Sequence, residues 1–254
     1  MKRVASFVLT FLLVSILIAV SQVSPAKASG TIYIRADGSV DPSWAPIARN
    51  GSVYTFTGNI NDSIVIERSN IIVDGNGYTL LGSGSLTGLY IRSGVNNVTV
   101  RDITITNFMY GIFAYGSSFN TFSGNCLTAN TYHGIYLYNS SNNSIPGNNI
   151  TANARHGIYG YSAFNNNISG NTVTTNGWFG ISLGDSSGNS ASGNNVTANN
   201  QYGIFLINSF NNSVSGNTVA ANWFGVTLDS SFSNSVSGNT VTANTYHGVV
   251  LGDA

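Results

Sequence analysis

Seven glycines recur along this chain at a nearly fixed interval: Gly111, Gly134, Gly157, Gly180, Gly203, Gly225 and Gly248, separated by 23, 23, 23, 23, 22 and 23 residues. A second series, Gly124, Gly147, Gly170, Gly193, Gly216 and Gly238, keeps the same period and shares the single one-residue deletion. A repeat of this length is one structural unit. It cannot bury an apolar face alone, so copies must stack on one another.

Aligning the units by their glycines gives apolar columns. One holds Phe122, Ile145, Ile168, Ala191, Val214 and Val236; another holds Leu127, Ile150, Val173, Val196, Val219 and Val241. A third holds Ile112, Ile135, Ile158, Ile181, Ile204, Val226 and Val249, and two positions further on lie Ala114, Leu137, Gly160, Leu183, Leu206, Leu228 and Leu251. A spacing of two and a preponderance of β-branched residues describe strands. The gaps are filled by Asn, Ser, Thr and Gly, which are turn residues. Three short strands per unit make one coil, and successive coils would stack about 4.8 Å apart with parallel pairing. The expected fold is all-β, a single-stranded parallel β-helix of about 23-residue coils. A propeller blade needs roughly 40 residues. The leucine-rich frame that would suit this length is absent.

Asparagine forms its own columns. Asn120, Asn143, Asn166, Asn189, Asn212 and Asn234 make one, with Asn97 continuing it backwards. Asn107, Asn130, Asn153, Asn176, Asn199, Asn222 and Asn244 make a second. Stacked amides can hydrogen-bond from coil to coil, and Asn tolerates the left-handed backbone of a sharp turn. Several sites also read Asn-x-Ser/Thr (Asn97, Asn142, Asn149, Asn167 and Asn195) and would accept a glycan in a suitable host.

The ends and the composition bound the setting. Met1-Lys2-Arg3, the uncharged run Val4 to Val20 and Ala26-Lys27-Ala28 have the layout of a secretory leader, so residues 1–28 are expected to be removed and the body exported. No other stretch is long enough to span a membrane. Net charge is zero and charged residues are 7% of the chain, which argues against nucleic-acid binding by bulk electrostatics. The single Cys126 excludes an intramolecular disulfide framework. Residues 29–69 show no repeat and hold much of the chain's charge, so they are expected to cap the stack, with repeats over 70–254. The sequence stops at Leu251-Gly-Asp-Ala254 inside a rung, and the expectation is that further chain or a partner covers that end.

The leader, the entry segment Asn70-Ile-Ile-Val-Asp-Gly-Asn-Gly-Tyr-Thr-Leu80 and the repeated Ser-Gly-Asn…Gly-Ile-x-Leu units resemble NosD-like proteins, within the right-handed parallel β-helix repeats of the pectin-lyase-like superfamily. The resemblance implies an exported β-helix. It also implies one of three roles: binding carbohydrate, delivering copper in the periplasm, or turning over sugars.

The residues decide unevenly among these. Glycoside hydrolysis needs paired carboxylates. From Gly124 onward the charged residues are Arg155, Asp185, Asp229 and Asp253, and no pair falls at a suitable separation. Catalysis within this chain is not expected; active residues outside it are the alternative for an enzyme. Copper takes imidazole, thiolate or thioether. His133 and His156 share a column on adjacent coils and could supply two ligands. The same column holds Tyr110, Phe179, Tyr202 and Phe224, so the histidines equally read as rings in a stack, and no cofactor is expected. The neighbouring column, Met109, Tyr132, Arg155, Trp178, Gln201, Trp223 and Tyr246, repeats flat groups along one edge. Facing solvent, Tyr132, Trp178, Gln201, Trp223 and Tyr246 would suit the faces of sugar rings. The reading is a non-catalytic exported scaffold with a polysaccharide ligand.

Overall fold

The computed structural model describes residues 30–253; the expected leader lies outside them. Its strands form three sheets of eleven, ten and eight strands. Each coil from Thr87 onward gives one strand to each sheet, and every pairing between those coils is parallel. The chain is a right-handed parallel β-helix. No helix among the described residues is long and apolar enough to cross a membrane.

Stacking starts earlier than the visible repeat. Six strands lead in: β1 (Thr31–Ile34), β2 (Val40–Asp41), β3 (Ile47–Asn50), β4 (Val53–Phe56), β5 (Ser63–Ile66) and β6 (Ile71–Asp74). β1 pairs in parallel with β5, and β4 with β6. β2 and β3 then pair antiparallel to β1 and β4. Those two antiparallel strands occupy edges that a bare first coil would expose.

Strand alternation turns the apolar columns inward. Phe122, Ile145 and Ile168 in the ten-stranded sheet, Leu127, Ile150 and Val173 in the eight-stranded sheet, and Ile112, Ile135 and Ile158 in the eleven-stranded sheet are fully buried. The core is therefore a set of continuous aliphatic stacks, each residue resting on its copy in the next coil.

Three asparagine ladders hold the corners, one more than the sequence columns suggested. They are Asn120 to Asn234, Asn125 to Asn239 and Asn130 to Asn244. Within the ladders each amide both accepts from one neighbouring coil and donates to the next. The Asn166 oxygen accepts the backbone N–H and the side-chain amide of Asn143, both at 2.9 Å. Its own amide donates to Asn189 and to the Ser140 carbonyl. Buried amides with every bond made stabilise the stack instead of weakening it.

Two details correct the sequence columns. The ladder asparagines do not adopt the left-handed conformation; the residue before each one does, as at Phe119, Gly124, Ala129, Asn142, Gly147 and Ala152. Asn97 and Asn107 also have positive φ, so they belong to that preceding column and not to the ladders. Val98, Ile103 and Phe108 take the ladder places in their coil, each N–H donating to Asn120, Asn125 or Asn130. The corners of that coil are therefore filled by apolar side chains before the amide ladders begin. The glycan-type asparagines named above, Asn97, Asn142, Asn149, Asn167 and Asn195, are exposed and off the ladders.

Candidate functional site

The outer face of the eleven-stranded sheet carries three neighbouring ring columns. Parallel pairing aligns Tyr90, Phe113, Tyr136 and Tyr159, and beside them Tyr115, Tyr138 and Tyr161. Centroids in the first column lie 5.4, 5.0 and 5.1 Å apart and in the second 5.5 and 5.7 Å, all stacked. The coil repeat of about 4.8 Å is close to the spacing at which rings stack, so identical positions on successive coils assemble such columns without further design. Burial is the main force raising the Tyr136 and Tyr159 hydroxyls above their ordinary pKa. A hydrogen bond to Asp185 raises that of Tyr161. Sequence reasoning passed over these columns because it followed the inward positions of the same strands.

The third column contains the predicted histidines. Tyr110, His133, His156 and Phe179 stack in order, with centroids 5.6, 4.8 and 4.5 Å apart. His133 and His156 are each only 5% exposed. Burial, with smaller contributions from neighbouring positive charge, lowers their pKa to about 2 and about 3. His247 stands apart, exposed on the last coil.

This geometry fits copper poorly. Nδ1 of His133 accepts the backbone N–H of His156 at 3.3 Å, which leaves the ring proton of the neutral imidazole on Nε2. The two rings lie within 3° of parallel, stacked on each other. Cys126 is on a strand of a different sheet. Among the described residues no three His, Cys, Asp or Glu side chains come together as a metal would need.

The predicted aromatic strip runs along the turn that enters this sheet, and it faces outward. Trp178, Trp223 and Tyr246 are 40%, 45% and 62% exposed, while Tyr132 and Gln201 are half-buried. Backbone bonds hold its coils in register: Arg155 N–H donates to Tyr132, Trp178 to Arg155 and Gln201 to Trp178. The strip is not a uniform row of open ring faces. The Arg155 guanidinium lies 3.9 Å from the Tyr132 ring centre and 4.7 Å from that of Trp178, so it covers one face of each. The one-residue deletion also interrupts the row, since the Gln201 carbonyl accepts from Phe224 and not from Trp223. Beside that shortened turn lies a recess of about 400 Å³, lined by Asn200, Ala221, Trp223, Thr245 and Tyr246 among others. Trp223 and Tyr246 contact each other at 5.4 Å, tilted by 52°.

No curated protein matches the chain closely enough to count as a relative. Among solved structures, the periplasmic alginate epimerase AlgG is similar with a TM-score of 0.66 and 18% identity, over 74% of this chain and 48% of AlgG. The enzymatically active domain of tailspike protein 2 from bacteriophage CBA120 is similar with a TM-score of 0.65 and 15% identity, over 83% of this chain and 38% of that one. The A-module of the Azotobacter vinelandii mannuronan C-5 epimerase AlgE4 gives 0.60 and 13%, over 88% and 72%. The chain thus spans about half the length of AlgG, and at these identities the likeness shows the fold alone. A model for the right-handed β-helix region matches residues 147–254. The model described as periplasmic copper-binding protein (NosD) matches residues 43–190, more than half of the sequence, and the chain belongs to that family.

Proposed function

We propose that this chain is an exported glycan-binding β-helix that holds its ligand along the strip from Tyr132 to Tyr246 without turning it over. The observation that carries the reading is the outward placement of Trp178, Trp223 and Tyr246 in one column, with Gln201 on the coil between the two tryptophans and a recess beside Trp223 and Tyr246. Exposed rings with a few placed polar groups, here Gln201 and Asn200, are the usual means of gripping sugar faces. Three fold neighbours add support, being named as two polysaccharide epimerases and a tailspike enzyme domain. Binding without turnover is favoured by the scarcity of acids, since only Asp185, Asp229 and Asp253 follow Gly124. Export is supported by the expected leader and by the family's periplasmic description. The stacking of His133 on His156 gives no support to copper binding.

Affinity gels cast with different polysaccharides test the proposal. The wild-type protein should be retarded by at least one, and Trp178→Ala and Trp223→Ala should each weaken retardation while the β-sheet circular dichroism is kept. Unchanged retardation in the double variant would move any glycan site off the strip.

A further inference from the structure

We infer that Arg155 makes the strip selective for acidic sugars, taking a carboxylate on the open edge of its guanidinium. This deepens the glycan-binding reading above and rests on it.

Arg155 is the one basic Lys or Arg residue in the regular coils from Gly124 onward. Its guanidinium is packed between Tyr132 and Trp178, 3.9 and 4.7 Å from their ring centres. Cation–π contact on two sides satisfies its faces but not its N–H groups, which lie in the plane. The ion pairs of the described residues all lie between Arg35 and Asp102, so none reaches Arg155. No described acceptor takes a hydrogen bond from its side chain. Arg155 is half-buried, so a positive charge is displayed with its donors unspent.

Among the described residues no carboxylate pairs with that charge. Asp185 is engaged with Tyr161 across the sheet. His133 and His156, which Arg155 adjoins, stay neutral in their stack. The clamp has already restricted the arginine side chain, so binding an anion costs less conformational entropy than it would for a free arginine. A planar fork fits a carboxylate with two parallel N–H···O bonds, a geometry lysine cannot reproduce. A uronate unit placed at Arg155 would leave its neighbours in the chain to meet Trp178, Gln201 and Trp223. The expected ligand is therefore a polysaccharide containing uronic acids.

Binding isotherms at low and moderate salt test this, using uronate oligosaccharides, neutral oligosaccharides of the same length and sulfated ones. Uronate should bind best, and raised salt should weaken it more than neutral binding. Arg155→Gln, which keeps a planar group between the rings, should lower uronate affinity by about tenfold or more and lower neutral affinity much less, so that the preference for uronate is lost. Arg155→Lys should recover only part of the loss. Circular dichroism and melting temperature confirm that each variant folds. If wild type binds neutral and uronate oligosaccharides equally, or if Arg155→Gln leaves uronate binding intact, the inference falls while glycan binding by the strip survives. A preference for sulfated over uronate ligands overturns the carboxylate assignment. Absence of binding to all three overturns both readings.

Discussion

His133 and His156 lie face to face on successive coils, with ring centroids 4.8 Å apart and planes 3° from parallel. Both are buried and held neutral, with pKa lowered to about 2 and about 3. Above pH 6.5 the rings are neutral in folded and unfolded chains alike, so the pair makes stability no more pH-dependent. Below it the unfolded chain takes up protons that the folded stack refuses, and stability falls as pH falls towards the folded values. Between pH 6.5 and 5 each histidine should cost about 2 kcal/mol. Urea denaturation at the two pH values checks this. The His133→Phe, His156→Phe double variant should lose the slope and keep the stack; an unchanged slope would place the acid sensitivity elsewhere.

The asparagine ladders should behave as a buried polar network. Asn166→Ala strips the acceptor from the Asn143 backbone and side-chain amides and leaves the Ser140 carbonyl without that donor. The expected cost is about 1–3 kcal/mol for each group left unpaired. Asn149, exposed on a strand of the eight-stranded sheet, is the control. Asn149→Ala should change stability by about 0.5 kcal/mol or less. Equal effects at the two sites would deny the ladder its structural role.

The two glycine series that mark the repeat exist for different reasons, and substitution should separate them. Gly134 has no positive φ, but a Cβ there would lie 2.5 Å from Ile150 Cγ2 and 2.7 Å from the Gly157 carbonyl oxygen. Gly147 has open space around that position and a φ of +65°. Gly147→Ala should cost about 1–2 kcal/mol, the left-handed penalty alone. Gly134→Ala meets backbone as well as side chain and should cost more, as overpacking does. Thermal melts of both variants decide it, and the reverse order would contradict the packing described.

The repeat, the three-strand coil and the inward columns were legible because each position recurs in nearly every unit, and period two and period 23 are hard to produce by chance. The third ladder at Asn125 was missed although Ser-Gly-Asn recurs in the sequence, because the reading stopped at its glycine. Asn97 and Asn107 were misplaced by one residue. Asparagine serves both the left-handed corner and the amide ladder next to it, and only backbone dihedrals separate the two. The direction of the aromatic strip was not legible either: near a turn, alternation no longer says which way a side chain points. The insertion of Arg155 between Tyr132 and Trp178 joins residues 23 positions apart in each direction. Their column was visible, but the stacking of one side chain on the next was not.

The most direct test of the account uses tryptophan fluorescence. The chain has three tryptophans, Trp44, Trp178 and Trp223, so the Trp44→Phe protein reports only on the strip. Titrated with a polysaccharide that retards it on affinity gels, this variant should show shifted emission and reduced quenching by acrylamide, as the two exposed indoles become covered. Binding at the same affinity with no change in emission or quenching would contradict the claim that the strip is the glycan site.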